Sequence, residues 1–363
     1  MANIHITLIG GQTTPVYQGI VAANPDKVVL IHSPQTKEEA NRIHAEIKVD
    51  CELKAFDPVN LHLINKAIQD LKKTFSQEDI LSINLSSGTK AWTLLFYENF
   101  KEVNHALLVV IDQNNLMWNL KTHQSTELQF DMDVQFRLYG NPLKTYTTLD
   151  DFTSEDYKMI SEIRSLRSFS TSVFNALVND YALHPNQTSY STNNNCELIR
   201  TKTGFLFTLY RKDTKKQTEL KSPSIQKLLK NAAWFEYEIA MLLSEWKYAK
   251  EIRMQCIFPT KNKSPKNEID IILNTGKKLL FVECKTQITH ESDIDKFNSA
   301  VKNYGGMGSK ALFITDEIMS LKAIEKCNEY HILHFSLKNN RLIKSKDALF
   351  LLLENELFNI NSK

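Results

Sequence analysis

The sequence predicts an α/β protein in two sheet-bearing parts joined by a helical and hairpin region. Three observations support this. Short β-branched runs alternate with apolar-periodic segments through the first third of the chain. Two of those runs end in Gly-, Ser- and Thr-rich loops that open into helices. Late in the chain, two further apolar runs flank a reverse-turn signal and carry charged residues at fixed spacing. A length of 363 residues agrees with two domains.

In the first part, Asn3–Ile9 reads as a strand, and Gly10-Gly11-Gln12-Thr13-Thr14-Pro15 leads into a helix near Val16. Lys27–His32 is a second strand, and Thr36-Lys-Glu-Glu has the cap-like threonine and early acids of a helix start. Val49–Lys54 and Ile80–Leu85 are strands separated by a helix over Asn60–Lys73. Ser86-Ser87-Gly88-Thr89-Lys90 then opens a helix that runs through Phe100. Ala106–Asp112 and Leu116–Lys121 are strands joined by Gln113-Asn114-Asn115. The order is that of a doubly wound sheet with an antiparallel extension, whose ligands lie beyond the carboxyl ends of the strands. Amides and hydroxyls at helix starts suit phosphates. Neither loop has the dinucleotide Gly-x-Gly-x-x-Gly or the Gly-Lys-Ser/Thr ending, which argues against NAD and against ATP hydrolysis.

Tyr139–Pro142 and Thr147–Thr153 mark a boundary. Ser154–Tyr181 reads as helical, Tyr181–Asn195 as a flexible loop, and Leu198–Tyr210 as a hairpin around Thr203-Gly204. The expected divisions are 1–145, 146–222 and 223–363, with the middle region given to dimer contacts and substrate approach.

The last part carries the chemistry. Asn267–Leu273 and Leu279–Lys285 read as strands around Asn274-Thr275-Gly276, and Asp270, Glu283 and Lys285 interrupt these apolar runs. Burying ionised groups is costly unless they are paired or bind a metal. Glu283 and Lys285 share a strand face, which the adjacent strand can bring beside Asp270. Two carboxylates and an ammonium at one point can hold a divalent cation near an activated water. Cys284 points its thiol to the packed face, and its carbonyl is a candidate metal ligand. Upstream, Ala232–Leu243 is an apolar-periodic helix containing Glu236 and Glu238. Strands are also expected at Glu251–Pro259, Ala311–Thr315 and His331–Leu337, and helices at Ser292–Asn303 and Asp347–Leu357. Gln287 shares the Lys285 face if its strand continues, and His290 belongs to a loop or helix start.

Asp270 with Glu283-x-Lys285, preceded by the Glu236 helix, resembles the PD-(D/E)xK nuclease core. Glu-Ile-Asp replaces the Pro-Asp of its first motif. Joined to an N-terminal half with Gly-Gly-Gln-Thr-Thr-Pro and Ser-Ser-Gly-Thr-Lys loops, the chain resembles the CARF-domain nucleases of type III CRISPR systems. The resemblance implies a Rossmann-like CARF domain followed by a restriction-endonuclease-like PD-(D/E)xK domain. It implies catalytic Glu236, Asp270, Glu283 and Lys285, with Mg²⁺ or Mn²⁺ on Asp270, Glu283 and the Cys284 carbonyl. It also implies a homodimer that binds cyclic tetra-adenylate and cleaves single-stranded RNA or DNA, with nicking of duplex DNA. Ligand residues would be Gly10, Gly11, Gln12, Thr13 and Thr14 with Ser86, Ser87, Gly88, Thr89 and Lys90; His32 and Ser33 are either ligand contacts or a plain strand end. Two other readings remain open: a restriction- or repair-type endonuclease indifferent to cyclic nucleotides, and a non-catalytic nucleotide-responsive regulator.

Composition adds bounds. Net charge is +2, with 42% hydrophobic and 24% charged residues, so global basicity does not point to nucleic acid. Lysines and arginines concentrate between Thr201 and Lys230 and at Lys261, Lys263 and Lys266, as a phosphate-facing surface or a solvated face would. There is no charged leader with a long apolar segment and no run of about 18 apolar residues. Five scattered cysteines without Cys-x-x-Cys spacing fit reduced thiols in a cytoplasmic protein.

Overall fold

The computed structural model describes residues 1–192, 195–259, 268–288, 290–306, 308–339, 342–343 and 346–358. The N-terminal sheet contains β1 (Asn3–Leu8), β2 (Lys27–His32), β3 (Asp50–Ala55), β4 (Ile80–Asn84), β5 (Ala106–Ile111), β6 (Leu116–Asn119) and β7 (Ser125–Glu127). Their order is β3-β2-β1-β4-β5-β6-β7. The first five are parallel, and β6 and β7 add antiparallel strands at one edge. Helices α1 (Thr14–Ala23), α2 (Lys37–Glu46), α3 (Leu61–Lys72) and α4 (Lys90–Phe100) provide the crossovers. Continuous apolar strands such as Val28–Ile31 follow from this cover, since both faces of the sheet are buried. The doubly wound expectation holds, with β7 as an unforeseen addition.

One cap differs from expectation. Ser33, not Thr36, accepts the capping hydrogen bond, from the Thr36 amide; Thr36 precedes α2 without a side-chain cap. A 3₁₀ turn at Pro34–Thr36 separates strand from helix and moves the cap upstream.

The second sheet runs from the strand at Leu333–Ser336 on one edge through those at Lys310–Thr315, Leu279–Lys285, Glu268–Asn274 and Glu251–Ile257 to the one at Thr145–Thr147. Its strands are β8 (Thr145–Thr147), β13 (Glu251–Ile257), β14 (Glu268–Asn274), β15 (Leu279–Lys285), β16 (Lys310–Thr315) and β17 (Leu333–Ser336). Helices α9 (Ala233–Ser244), α10 (Ser292–Tyr304) and α11 (Leu321–Glu329) pack on it, and α12 (Lys346–Phe358) closes the chain. Strand β8 comes from the expected domain boundary and forms the sheet edge beside β13.

The middle region is not an independent linker. Helices α6 (Ser154–Phe169) and α7 (Thr171–Leu183) pack with a four-stranded sheet of β9 (Ser189–Ser191), β10 (Glu197–Arg200), β11 (Phe205–Arg211) and β12 (Thr214–Leu220). Their buried Phe174, Phe205 and Phe207 share one core with Trp234, Ile271 and Val282 of the second domain. Part of the expected flexible loop is β9, because Tyr190 is buried against Tyr181. The opposite face of the second sheet is covered by α10 and by α5 (Met132–Leu138), whose Phe136 meets Phe258 and Phe281 edge-on. Short α8 (Ile225–Leu229) leads into α9.

Candidate active site and ligand loops

Pairing of β14 with β15 begins at Asn274↔Leu279 and proceeds to Ile271↔Val282. The next rung would join Asp270 to Glu283. There the Cys284 amide donates instead to Asp270 Oδ2, at 2.7 Å. The strands part at the point where the charged residues stand. Lys285 Nζ lies 2.5 Å from Glu283 Oε1 and 3.9 Å from Asp270 Oδ2, so one ammonium serves both carboxylates. Glu236, in the first turn of α9, lines the same cleft. Its Oε2 accepts from Gln255 Nε2 at 3.3 Å. The cleft measures about 870 Å³, and Tyr146, Lys227, Lys230, Asn231 and Lys296 contribute to its walls.

Electrostatics follow from three acids and one base in a largely dry site. Burial, then repulsion from Asp270, pushes the Glu236 and Glu283 carboxyls up to about 8. Asp270 is also raised, by burial against the opposing pull of Lys285 and the Cys284 amide. Burial disfavours the Lys285 ammonium, but Asp270 and Glu283 outweigh it and hold the charge on. A cluster with this surplus of carboxylate oxygen suits a hard divalent cation. Among the described residues, no three His, Cys, Asp or Glu side chains are already arranged as a metal cage. The oxygen donors of Asp270 and Glu283, which already share the lysine cation, fit Mg²⁺ or Mn²⁺ in chemistry. The Cys284 thiol belongs to the core on the other face and is pushed up by burial.

The remaining expectations sort by position. Strand β15 ends at Lys285, so Gln287 falls in the following bend and is not on the strand face. The His290 carbonyl accepts from the Asp293 amide at the start of α10. Lys227 and Lys230 of the basic stretch reach the cleft. Lys261, Lys263, Lys266 and Asn267 lie outside the described residues. Glu238 points away from the cleft to Arg164 of α6, Nε to Oε1 2.6 Å. Arg164 also holds Asp316 at 2.8 Å, and fully buried Asp316 pairs with Arg167. The Asp316 amide donates to the Lys285 carbonyl, so this ion cluster braces the end of β15.

In the first domain, β1 and β4 are neighbours from which the strand order runs in opposite directions, so the loops after them border the switch point of the sheet. The Gly10 amide donates to Ser87 Oγ at 3.0 Å, and Ser87 Oγ donates to the Gln12 carbonyl at 3.2 Å. A Cβ at Gly10 would stand 2.8 Å from both the Gly88 nitrogen and Ser87 Oγ, so this approach requires glycine. Gly88 turns at φ +84°, and Thr89 caps α4 by accepting from the Trp92 amide. Ser86, Ser87, Gly88 and Lys90 line a small cavity of about 270 Å³. Thr13 is buried, and its hydroxyl and that of Thr14 face the Tyr139 phenol, which leaves Gly11 and Gln12 nearer the surface. His32 is buried, with Nδ1 3.0 Å from the Ser33 carbonyl, and Ser33 is occupied by its cap.

Sequence reasoning missed Gln255, the β8 residues and Lys296. Nothing in a strand-like Met254-Gln255-Cys256 announces a backbone turned to φ +50°.

The family profile of the Card1 CARF domain matches residues 4–137. No curated protein sequence matches the chain. Solved structures do. Can2 from Sulfobacillus thermosulfidooxidans in complex with cyclic tetra-adenylate superposes with a TM-score of 0.72 at 18% identity, over 98% of this chain and 99% of that one. Protein VC1899 from Vibrio cholerae gives 0.72 at 13% identity, over 98% and 97%. A type III CRISPR defence DNA nuclease activated by cyclic oligoadenylate gives 0.60 at 15% identity, over 98% of this chain and 52% of that longer one. At these identities the superpositions establish the fold, and the profile match establishes the first domain. Residues 4–137 match the Card1 CARF domain, and the chain shares the fold of Can2 over 98% of its length.

Proposed function

We propose that this protein is a metal-dependent nuclease switched on by a cyclic oligoadenylate, with cyclic tetra-adenylate as the activator, in type III CRISPR defence. One observation carries the reading: Asp270 and Glu283 flank a single Lys285 ammonium where two strands part, with Glu236 on the same cleft. A Mg²⁺ or Mn²⁺ ion held by Asp270 and Glu283, with Glu236 and the Cys284 carbonyl in support, would supply Lewis acidity toward a phosphodiester. Lys285 orients the attacking water and offsets negative charge as it develops on the phosphate. Lys227, Lys230 and Lys296 give the cleft wall a positive character suited to a nucleic-acid backbone, and Tyr146, 43% exposed, offers a ring for stacking an unpaired base. Single-stranded RNA or DNA is the preferred substrate class in this reading, with nicking of duplex DNA as a lesser activity.

Activation is a population shift toward the arrangement that binds the ring more tightly. A ring-shaped ligand engages the first-domain loops of two chains. Pairing of two copies is supported by exposed apolar residues next to those loops: Leu94 and Tyr97 on α4, with Val59, Leu61 and Leu63 at the start of α3.

The test is cleavage of labelled RNA and plasmid DNA with Mn²⁺ across cyclic oligoadenylates of different ring size. Cleavage that requires cyclic tetra-adenylate and is lost in Glu283→Ala is the expected result. Equal cleavage with and without any ring would favour an unregulated endonuclease, and no cleavage with retained ring binding a regulator.

A further inference from the structure

A glutamine in the middle of a catalytic-sheet strand has an unusual backbone. Gln255 adopts φ +50°, a left-handed conformation that costs a non-glycine residue free energy and persists where surroundings enforce it. Its place in the ladder is informative. Met254 pairs with Ile271 and Cys256 with Ile269, so Gln255 stands across from Asp270 without a ladder rung of its own. On the other side of β13, pairing with β8 shifts register between Met254 and Ile257. Asp270 thus sits at a rung broken on both flanks, by Gln255 on β13 and by the parting from Glu283 on β15. Irregularities of this kind re-aim a side chain beside a functional site.

The side chain is aimed into the acidic cleft. Gln255 Nε2 donates to Glu236 Oε2 at 3.3 Å, and Gln255 Oε1 lies 3.4 Å from Thr147 Oγ1 of β8. The Thr147 hydroxyl lies at the same 3.4 Å from the Met254 carbonyl, so its single proton goes to one of the two oxygens; donated to Gln255 Oε1, it leaves the NH₂ for Glu236. We propose that Gln255 is a positioning residue for the metal-binding cleft, turning the Glu236 carboxylate toward Asp270, and that Thr147 sets its orientation from the inter-domain strand. The proposal rests on the reading of the cleft given above. It adds a residue that no Asp…Glu-x-Lys pattern contains.

Outer partners of metal-binding carboxylates change affinity by about 10- to 100-fold when removed. The test uses the full chain and three substitutions. Gln255→Gly relieves the left-handed backbone and removes the amide. Gln255→Asn keeps an amide on a residue type that tolerates this conformation. Glu283→Ala defines site-specific binding. Mn²⁺ binding is measured by calorimetry without nucleic acid or activator, and melting temperature is measured in EDTA. The expected result is that Gln255→Gly melts no lower than wild type, binds Mn²⁺ roughly tenfold or more weakly, and cleaves correspondingly less, while Gln255→Asn recovers part of both. Wild-type Mn²⁺ affinity and cleavage in Gln255→Gly would overturn the proposal by itself. So would a large loss of melting temperature in Gln255→Gly, which would make the residue a structural support. Wild-type protein with no Glu283-dependent Mn²⁺ binding would overturn the reading of the cleft and the proposal with it.

Discussion

Replacing Glu236 by glutamine should make the metal-free protein more stable while disabling it. Glutamine keeps the size of the side chain and still accepts from the Gln255 amide. It removes a buried negative charge that burial and Asp270 oppose, an opposition that moves the carboxyl from its ordinary 4.5 to about 8. The sign follows from proton linkage. Between these pH values the folded protein holds a proton that the unfolded chain releases, so stability falls as pH rises from 4.5 and levels off above 8. At about 1.4 kcal/mol per decade, a carboxyl displaced from 4.5 to about 8 destabilises the fold by at most ~5 kcal/mol at high pH. Glu236 keeps partial contact with solvent and shares its repulsion with Asp270, so about 1–3 kcal/mol is the expected gain on neutralisation. For a domain of this size the gain corresponds to a melting temperature higher by roughly 3–9 °C. The assay is thermal unfolding of wild type and Glu236→Gln in EDTA at pH 5 and pH 8.5. The variant should lead clearly at pH 8.5 and scarcely at pH 5. Equal melting temperatures at pH 8.5, or a lead that does not grow with pH, would refute the argument that Glu236 is held ionised at a cost.

Other outcomes follow from the same structure. Lys285→Ala and Glu283→Ala should reduce cleavage to background in a labelled-RNA assay while leaving cyclic tetra-adenylate affinity unchanged, because the loops lie in the other domain. Gly10→Ala should weaken cyclic tetra-adenylate binding by roughly tenfold or more in calorimetry, since the new methyl collides with the Gly88 nitrogen and separates the two loops. Arg167→Ala should cost less than the roughly 3–5 kcal/mol of a buried carboxylate left with no partner, read by urea unfolding, because Arg164 and Lys338 still hold fully buried Asp316; the Arg164→Ala, Arg167→Ala double variant should approach that full cost. Leu94→Glu, at a position 68% exposed, should leave folding intact and shift sedimentation toward monomer.

Strands and helices with strong local patterns could be read from the sequence to within a residue or two. Val28–Ile31 is continuously apolar because helices cover both faces of its sheet, and Asn60 announces α3 by capping it. The charged triplet of the cleft was legible for a similar reason: Asp270, Glu283 and Lys285 are anomalies in apolar strands, and anomalies of that kind are visible locally. Contacts between distant segments left no such trace. Arg164 and Asp316 are 152 residues apart, and nothing near either names the other. Strand β8 is three polar and aromatic residues that pair because an edge of β13 is free to receive them, not because of their own pattern. The middle region reads as helices and a hairpin between the two sheet-bearing parts, yet its aromatic residues complete the second core, a partnership set by tertiary packing. Gln255 stayed hidden because a backbone dihedral is a property of the surroundings.

Strand β8 also bears on how freely the two halves can be recombined. It follows the first sheet in the chain and becomes the outer strand of the second sheet long before the other strands of that sheet are made. A cut at residue 222 would therefore yield no self-sufficient second domain: it would bare a row of backbone amides and carbonyls along β13 and peel away much of the apolar interior. Grafting a different first domain onto this second sheet would require keeping α5 as well as everything from Thr145 onward, since Phe136 packs on Phe258 and Phe281, so the seam between the modules falls at or before Met132, inside the stretch that the first-domain profile matches.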